Sequence, residues 1–180
     1  MKRDGARCGW RPAASAAIAV FVLALPAHAA STAAAALAEV SAAAKAWQAD
    51  AALTHVSTLS GTPDGKAASL LYTVYSPKAK KSAILTAGDR NVDVDPVYRN
   101  TSVDPLAPGW MDSDKALDAA RKAGLGLPGT GIGLGLTTFG AGAAKRAYWT
   151  VNVMTEAAIL SLTLDPVTGA LVKPDEVKLK

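Results

Sequence analysis

The chain has 180 residues, half of them hydrophobic, with one cysteine and with 19 Lys and Arg against 15 Asp and Glu. The first 29 residues hold four of the basic residues, one of the acidic ones and the cysteine, Cys8, so the remainder carries 15 basic against 14 acidic residues. A nearly neutral, cysteine-free remainder excludes disulfides and thiolate metal sites, and its charge balance argues against nucleic-acid binding. Lys78, Lys80 and Lys81 do cluster, but they lie beside a predicted turn and are interpreted as a solvated hairpin loop.

The N-terminus has the three parts of a secretory signal peptide. Four basic residues precede an apolar run over residues 13–25, and Ala27-His28-Ala29 follows as a small-residue cleavage site. The run of roughly 13 residues is shorter than the ~20 that a membrane-spanning helix needs. We therefore expect residues 1–29 to be a signal peptide cleaved near Ala29, and the protein to be periplasmic or secreted without stable membrane insertion.

Residues 30–97 predict a first unit, a helix followed by a small antiparallel meander. Between residues 32 and 50, apolar side chains recur at steps of three and four, which is typical of one helical face. Alternating apolar segments with turn residues between them then predict three strands and a short edge strand, at residues 53–59, 69–75, 82–87 and around Val92.

A linker rich in Pro, Asp and Gly at residues 98–111 precedes a second unit at residues 112–180. Asp112 or Ser113 can cap its helix, and Gly124 can end the helix in a left-handed conformation. Two alternating strands follow, at residues 146–154 and 157–164, with Ala158, Leu160, Leu162 and Leu164 expected to face inward. A tight turn and a short closing strand are predicted at residues 165–169 and 170–172.

The stretch Gly126–Gly142 is dense in glycine and predicts a passive loop, a mobile lid or a segment that becomes ordered when a partner binds. It overlaps a G-x-G-x-x-G pattern at Gly124, Gly126 and Gly129. That pattern binds dinucleotides only between a strand and a helix. Here a helix precedes it, so no phosphate site is predicted.

The two units resemble copies of each other. Residues 59–75 align with residues 136–152 at a constant offset of 77, which places Tyr72 on Trp149. The order helix, strand, glycine turn, aromatic strand, loop, apolar strand recurs in both halves. We therefore predict an α+β fold of two helix-plus-antiparallel-meander units, packed side by side or as one pseudo-symmetric domain.

The segments Asp114–Gly124, Trp149–Val153 and Leu162–Val172 resemble a PepSY-type domain, and the first half is similar more loosely. The resemblance implies an exported, non-catalytic module that binds or restrains peptidases or other envelope partners. It also implies that Asp165, Thr168 and Gly169 form the last hairpin turn of the unit, with a structural role.

Few reactive groups lie outside the leader. A Ser-His-Asp triad would need His55, the one remaining histidine, as its base, and no G-x-S-x-G accompanies it. The densest acidic group could hold Ca²⁺ through oxygen ligands, but its spacing does not match an EF-hand; its members are Asp89, Asp93, Asp95 and Asp104. We predict no enzymatic activity, no cofactor and no metal.

Three aromatic residues, Tyr75, Trp110 and Tyr148, have no assigned place in the core. Tyr and Trp supply much of the binding energy of interfaces, so these residues are candidates for a contact surface, with ordinary half-burial as the alternative. We expect an exported non-enzymatic binding or inhibitory module of the cell envelope that has a protein partner. The alternative is a periplasmic carrier that binds a small apolar ligand in a Trp- and Tyr-lined pocket between helix and sheet.

Overall fold

The computed structural model describes residues 30–61, 63–67, 69–86, 92–93, 103–126, 131–140, 142, 145–154 and 159–172. The predicted signal peptide lies outside these ranges. The fold is α+β, as the sequence predicts. Its elements in chain order are α1 (Leu37–Trp47), β1 (Ala52–Gly61), β2 (Leu71–Ser76), β3 (Lys81–Thr86), β4 (Val92–Asp93), α2 (Ser113–Lys122), β5 (Gly131–Phe139), β6 (Arg146–Met154) and β7 (Ile159–Leu164).

The strands form one antiparallel sheet in the order β4-β3-β2-β1-β5-β6-β7. β1 pairs with β5, with Val56 opposite Leu136, and this pairing joins the two meanders. Each half of the chain thus contributes its first strand to the centre of the sheet and its last strand to an edge. The predicted short edge strand is confirmed as β4, which pairs with β3.

One row of buried side chains crosses six strands and forms the centre of the core. Cross-strand pairing places these residues side by side, and each is at most 1% exposed; the row is Leu85, Tyr72, Val56, Leu136, Trp149 and Leu164. The apolar stripes of both helices belong to the same buried cluster, so both helices cover this face of the sheet. The residues that alternate with the row point to the opposite face.

The first helix begins at Leu37, later than the residue 32 that the sequence predicts. Ser31 and Ala67 exchange two backbone hydrogen bonds of 3.0 Å in an isolated antiparallel bridge. The chain then turns through residues 33–36 before the helix begins. Because the bridge requires extended backbone at Ser31, the helix begins later in the chain than predicted.

The second helix ends where its capping residues predict. The Asp112 carboxylate accepts a hydrogen bond of 2.7 Å from the Ser113 amide, and Gly124 has a φ of +98°. The helix buries its inward side through Ala116, Leu117 and Ala120. The capping signals and the apolar spacing agree, which is why this element was predictable.

The glycine-dense stretch is neither a passive loop nor a lid over residues 131–139. This segment is β5, which pairs on one side with β1 and on the other with β6. Its glycines at 131, 133 and 135 alternate with three buried residues, Ile132, Leu134 and Leu136. The glycines therefore line the face away from the helices, and the apolar residues fill the core. Both loop interpretations are wrong because backbone pairing on two sides and one apolar face suffice to hold a strand.

Candidate functional site

β7 is the last strand of the sheet, and its outer edge is paired only at its C-terminal end in the described part of the chain. Leu164 forms a bridge with Leu171, and the Thr163 carbonyl accepts a hydrogen bond of 3.0 Å from the Val172 amide. The Thr163 carbonyl therefore points outward. Because backbone groups alternate along a strand, Ile159 and Ser161 also direct their N–H and C=O groups outward. No described residue pairs with these groups.

The same end of β7 exposes large apolar side chains on both faces of the sheet. Ile159 is 67% exposed and Leu160 44%, and Met154, directly opposite Ile159, is 39% exposed. We call Met154, Ile159 and Leu160 the β7 edge patch. Natural sheets usually protect their edges with charges, prolines or covering segments. An unpaired edge with apolar residues on both faces is typical of an interaction site.

The turn after β7 is built around one carboxylate. Asp165 Oδ1 accepts hydrogen bonds from the Thr168 amide at 2.8 Å, the Val167 amide at 3.0 Å and the Thr168 hydroxyl at 2.9 Å. The hydrogen bond from the Thr168 amide is the largest cause that lowers the pKa of Asp165. Gly169 has a φ of +72°, and a Cβ there would lie 3.0 Å from the Cβ of Ala119. The turn thus holds Leu171 and Val172 against β7.

The three aromatic residues predicted as contacts are not brought together. Tyr75 lies half-buried on β2, and Tyr148 lies on β6, with two strands between them. Trp110 packs edge-on against Trp149, with ring centroids 6.1 Å apart and an interplanar angle of 76°. Trp149 belongs to the helix-covered face, so Trp110 is separated by the sheet from the other two.

Tyr148 is part of the interior of the chain instead of an exposed contact, with 1% of its surface accessible. Its hydroxyl accepts a hydrogen bond of 2.6 Å from Arg146 Nε, and its ring stacks on Phe139 at 6.5 Å between centroids. The Arg146 guanidinium also lies 5.3 Å from the Tyr148 ring centroid. These neighbours occupy the surface that a partner would need.

His55 lies half-buried on β1, between Thr73 of β2 and Thr137 of β5, on the face away from the helices. Burial lowers the pKa of His55 below its ordinary value. The imidazole makes no hydrogen bond to a described residue. In the described part of the chain, no serine hydroxyl or carboxylate is hydrogen-bonded to His55 as a catalytic triad requires.

The acidic group considered for calcium is only partly described. Asp104 forms an ion pair with Lys145, and Asp93 belongs to β4. Asp89 and Asp95 lie outside the described residues. Within the described residues, no group of three His, Cys, Asp or Glu side chains could hold a metal ion.

A cleft of about 220 Å³ lies between α1 and the start of β1. Its walls are mainly aliphatic, and they include Leu37, Val40, Leu53 and Val74. The Lys45 ammonium at its rim donates hydrogen bonds to the carbonyls of two residues after the helix, at 3.2 and 3.0 Å. The lining contains no Trp or Tyr, so the cleft differs from the aromatic pocket that the sequence predicts.

The sequence does not predict the β7 edge patch, because the alternation in this strand places Leu160 inward. Leu160 does lie opposite Val153, a core residue, but it remains exposed because it lies at the far end of the edge strand. One signal was available: the adjacent Ile159 and Leu160 break the alternation of apolar and polar residues. Two consecutive large apolar residues in a strand place one on each face.

Comparisons with known proteins give the fold and little more. No protein-family model matches the chain, and no curated protein matches it significantly. A crystal structure of a candidate lipoprotein from Clostridium difficile 630 superposes with a TM-score of 0.50 at 11% sequence identity. The match covers 76% of this chain and 90% of the other. At that identity the likeness extends to the fold alone. Within the described ranges, no helix has the length and hydropathy needed to cross a membrane.

Proposed function

We propose that this chain is an exported, non-enzymatic binding or inhibitory module of the cell envelope, and that it binds a protein partner through the β7 edge patch. The observation that carries the proposal is the cluster of Met154, Ile159 and Leu160 on a sheet edge that no described residue pairs between Ile159 and Leu162. Exposed apolar area of this kind gains free energy when a partner covers it, at roughly 25 cal/mol per Å². A peptidase is the partner class that the PepSY resemblance implies.

We also propose that the two halves are pseudo-symmetric PepSY-like units, and two hydrogen bonds support this. The hydroxyl of Tyr72 on β2 donates to the carbonyl of Ala33 at 2.9 Å. The indole Nε1 of Trp149 on β6 donates to the carbonyl of Met111 at 2.9 Å. In each half, the aromatic residue of the second strand is thus tied to the segment that precedes the helix of that half.

The strand pairings support the same proposal. Leu85 lies opposite Tyr72 on one side and Val92 on the other. Leu164 likewise lies opposite Trp149 on one side and Leu171 on the other. Each half therefore consists of a helix, three strands and a short fourth extended segment at the edge.

Export is the third part of the proposal. Cleavage near Ala29 would leave a chain whose second residue, Ser31, is already paired with Ala67. The amide of Ala33 donates to Ser113 Oγ at 3.0 Å, and the amide of Ala34 donates to Asp112 Oδ1 at 2.8 Å. The cleaved N-terminus would thus be held by the fold. The intact mass of the protein purified from its native host tests this, and a mass that includes residues 1–29 would contradict it.

Site-specific photo-crosslinking in intact cells tests the binding function. A photoreactive amino acid replaces Ile159 in one variant and Val103 in a control variant, since Val103 is also apolar and 52% exposed but lies outside the patch. We expect a discrete covalent adduct with an envelope protein from position 159 and none from position 103. Equal labelling from both positions, or none from position 159, would contradict the proposal.

The second candidate function is the carriage of a small apolar ligand, and the cleft beneath α1 favours it. Its volume of about 220 Å³ lies below the roughly 300 Å³ at which ligand pockets usually begin. Native mass spectrometry of the purified protein tests this function. A retained small molecule that disappears in an Ala44→Phe variant, which fills the cleft, would place this function first.

A further inference from the structure

We propose that the β7 edge binds its partner by strand addition, so that an extended peptide segment of the partner joins the sheet beside Ile159–Ser161. This inference rests on the proposed function, and it adds the binding mode and the chemistry of the bound segment. Strand addition is a recurring way in which sheet edges recognise peptides: main-chain hydrogen bonds give affinity and side-chain contacts give specificity.

The backbone of the edge carries the argument. Ile159 and Ser161 direct two N–H and two C=O groups outward. They lie two and four residues from Thr163, so they point to the same side as the Thr163 carbonyl, which accepts a hydrogen bond from the Val172 amide. Leu160 and Leu162 direct theirs inward, to β6. The chain itself continues the sheet at Leu171 and Val172. An added strand would extend a pairing that this edge already makes.

The side chains define the chemistry of the bound segment. On the face away from the helices, the added strand would lie beside Ile159, with Met154 one strand farther in, and on the helix-covered face it would lie beside Leu160. These three side chains and Ser161 carry no charge. An extended, uncharged segment with β-branched or aromatic residues on both faces fits this edge, since such cross-strand pairs stabilise a sheet by roughly 0.2–1 kcal/mol each.

The length of the edge favours a peptide segment over a second copy of this chain. Among the described residues, the edge available is four residues long, from Ile159 to Leu162, because Leu164 is already bridged to Leu171. Two such short edges would bury far less than the roughly 1,200 Å² at which stable protein interfaces begin.

The experiment compares Ser161→Pro with Ser161→Ala. Proline at 161 removes an outward N–H that the β6–β7 pairing does not use, and edge strands tolerate proline there. Alanine keeps that N–H and removes only the hydroxyl, which contacts the Asn152 side chain. The probe is a synthetic peptide that copies residues 147–154 of β6, the natural neighbour of β7, which contain no charged side chain. Binding is followed by NMR titration of the full chain.

We expect the unsubstituted chain and Ser161→Ala to bind the peptide, with slowed hydrogen exchange at the amides of Ile159 and Ser161. We expect Ser161→Pro to bind at least tenfold more weakly, with unchanged β6 resonances showing that it is folded. Equal binding by the proline variant, or slowed exchange elsewhere in the chain, would overturn strand addition. The slowed exchange in the unsubstituted chain decides the question even if the proline variant does not fold.

Two further outcomes separate this inference from the proposed function. If photo-crosslinks from position 159 persist in the Ser161→Pro background, the binding function stands and strand addition is overturned. If the protein alone shows concentration-dependent protection of the same two amides, the occupant is a second copy, which also overturns the inference.

Discussion

The buried hydroxyl of Ser113 donates a hydrogen bond of 2.8 Å to the carbonyl oxygen of Gly65. This bond ties the start of α2 to the turn between β1 and β2. The same hydroxyl oxygen accepts a hydrogen bond of 3.0 Å from the amide of Ala33, which precedes α1. One fully buried side chain thus joins both halves of the chain and the segment that follows the predicted cleavage point.

Ser113→Ala removes both bonds and leaves a buried amide and a buried carbonyl without partners. We expect the free energy of unfolding to fall by about 1–3 kcal/mol, which is the usual cost of unsatisfied buried groups. Urea denaturation followed by circular dichroism measures this. Ser41→Ala, an exposed change in α1, is the control and should stay within about 0.5 kcal/mol. If both substitutions had the same effect, the two hydrogen bonds of the Ser113 hydroxyl would not stabilise the fold, which would contradict this prediction.

Gly65→Ala tests the close approach between the same turn and α2. A Cβ at position 65 would lie 2.5 Å from the Cα of Asp114, and the φ of +77° is itself unfavourable for alanine. We expect a loss of roughly 2–5 kcal/mol, from about 1–2 kcal/mol of backbone strain and about 1–3 kcal/mol of overlap.

Gly109→Ala is the matched control for that substitution. Gly109 has a φ of +94°, but a Cβ there would meet no atom within 4 Å. Its cost should therefore be the backbone strain alone, about 1–2 kcal/mol. A Gly109→Ala loss as large as that of Gly65→Ala would show that the approach of α2 contributes nothing.

Gly135→Thr tests whether β5 is a central strand. A Cβ at Gly135 meets nothing within 4 Å, and glycine is a poor strand former. We expect threonine to stabilise the fold by roughly 0.5–1 kcal/mol in thermal or urea denaturation. Gly131→Thr is the control and should gain less, because its Cβ would lie 2.7 Å from the terminal methyl of Met154. If Gly135→Thr lowered the free energy of unfolding by more than about 1 kcal/mol, the assignment of Gly135 to a central strand would be contradicted.

His55 should make stability depend on pH between about 7.5 and 5. Burial lowers the pKa of His55 below 6.5 in the folded chain, so the unfolded chain binds more protons as the pH falls through that range. The stabilisation is present above pH 6.5 and is lost on acidification. Asp50 and Asp165 have pKa values lowered from 3.8, so their contributions are lost only at lower pH.

The measurement is the urea midpoint at both pH values for the unsubstituted chain and for His55→Gln. The midpoint should fall on acidification in the unsubstituted chain, and glutamine, which does not titrate, should remove most of that fall. An identical pH dependence in both proteins would assign it to other groups.

Elements with two agreeing local signals were predictable from the sequence. α2 has a capping residue, Asp112, and a terminating glycine, Gly124, on either side of an apolar stripe. β6 alternates without interruption from Arg146 to Met154, and its bounds match the prediction. In both cases local chemistry and tertiary burial favour the same structure.

Glycine density predicts a loop where the structure has β5, and this prediction is wrong. The alternation of Gly131, Gly133 and Gly135 with apolar residues was present in the sequence and is a strand pattern. Its partners, β1 and β6, supply what glycine lacks, since hydrogen bonds on both sides fix a backbone with little intrinsic preference for strand.

The candidate site was less predictable than the fold, because exposure depends on neighbours distant in sequence. Tyr148 alternates with core residues, and the sequence predicts either a contact surface or half-burial for it, but with Phe139 and Arg146 beside it the side chain is fully buried. Leu160 points to the same face of the sheet as the core residues, yet it is exposed because β7 is an edge strand. Alternation gives the face of a side chain, and only the order of strands shows whether that face is covered.

The most direct test of the central claim is residue-resolved amide hydrogen exchange of the free chain along β7. If the edge is open for a partner, the amides of Ile159 and Ser161 exchange much faster than those of Leu160 and Leu162, which bond to β6. Equal protection at all four positions would mean that the edge is already occupied, and the proposed binding surface would be wrong.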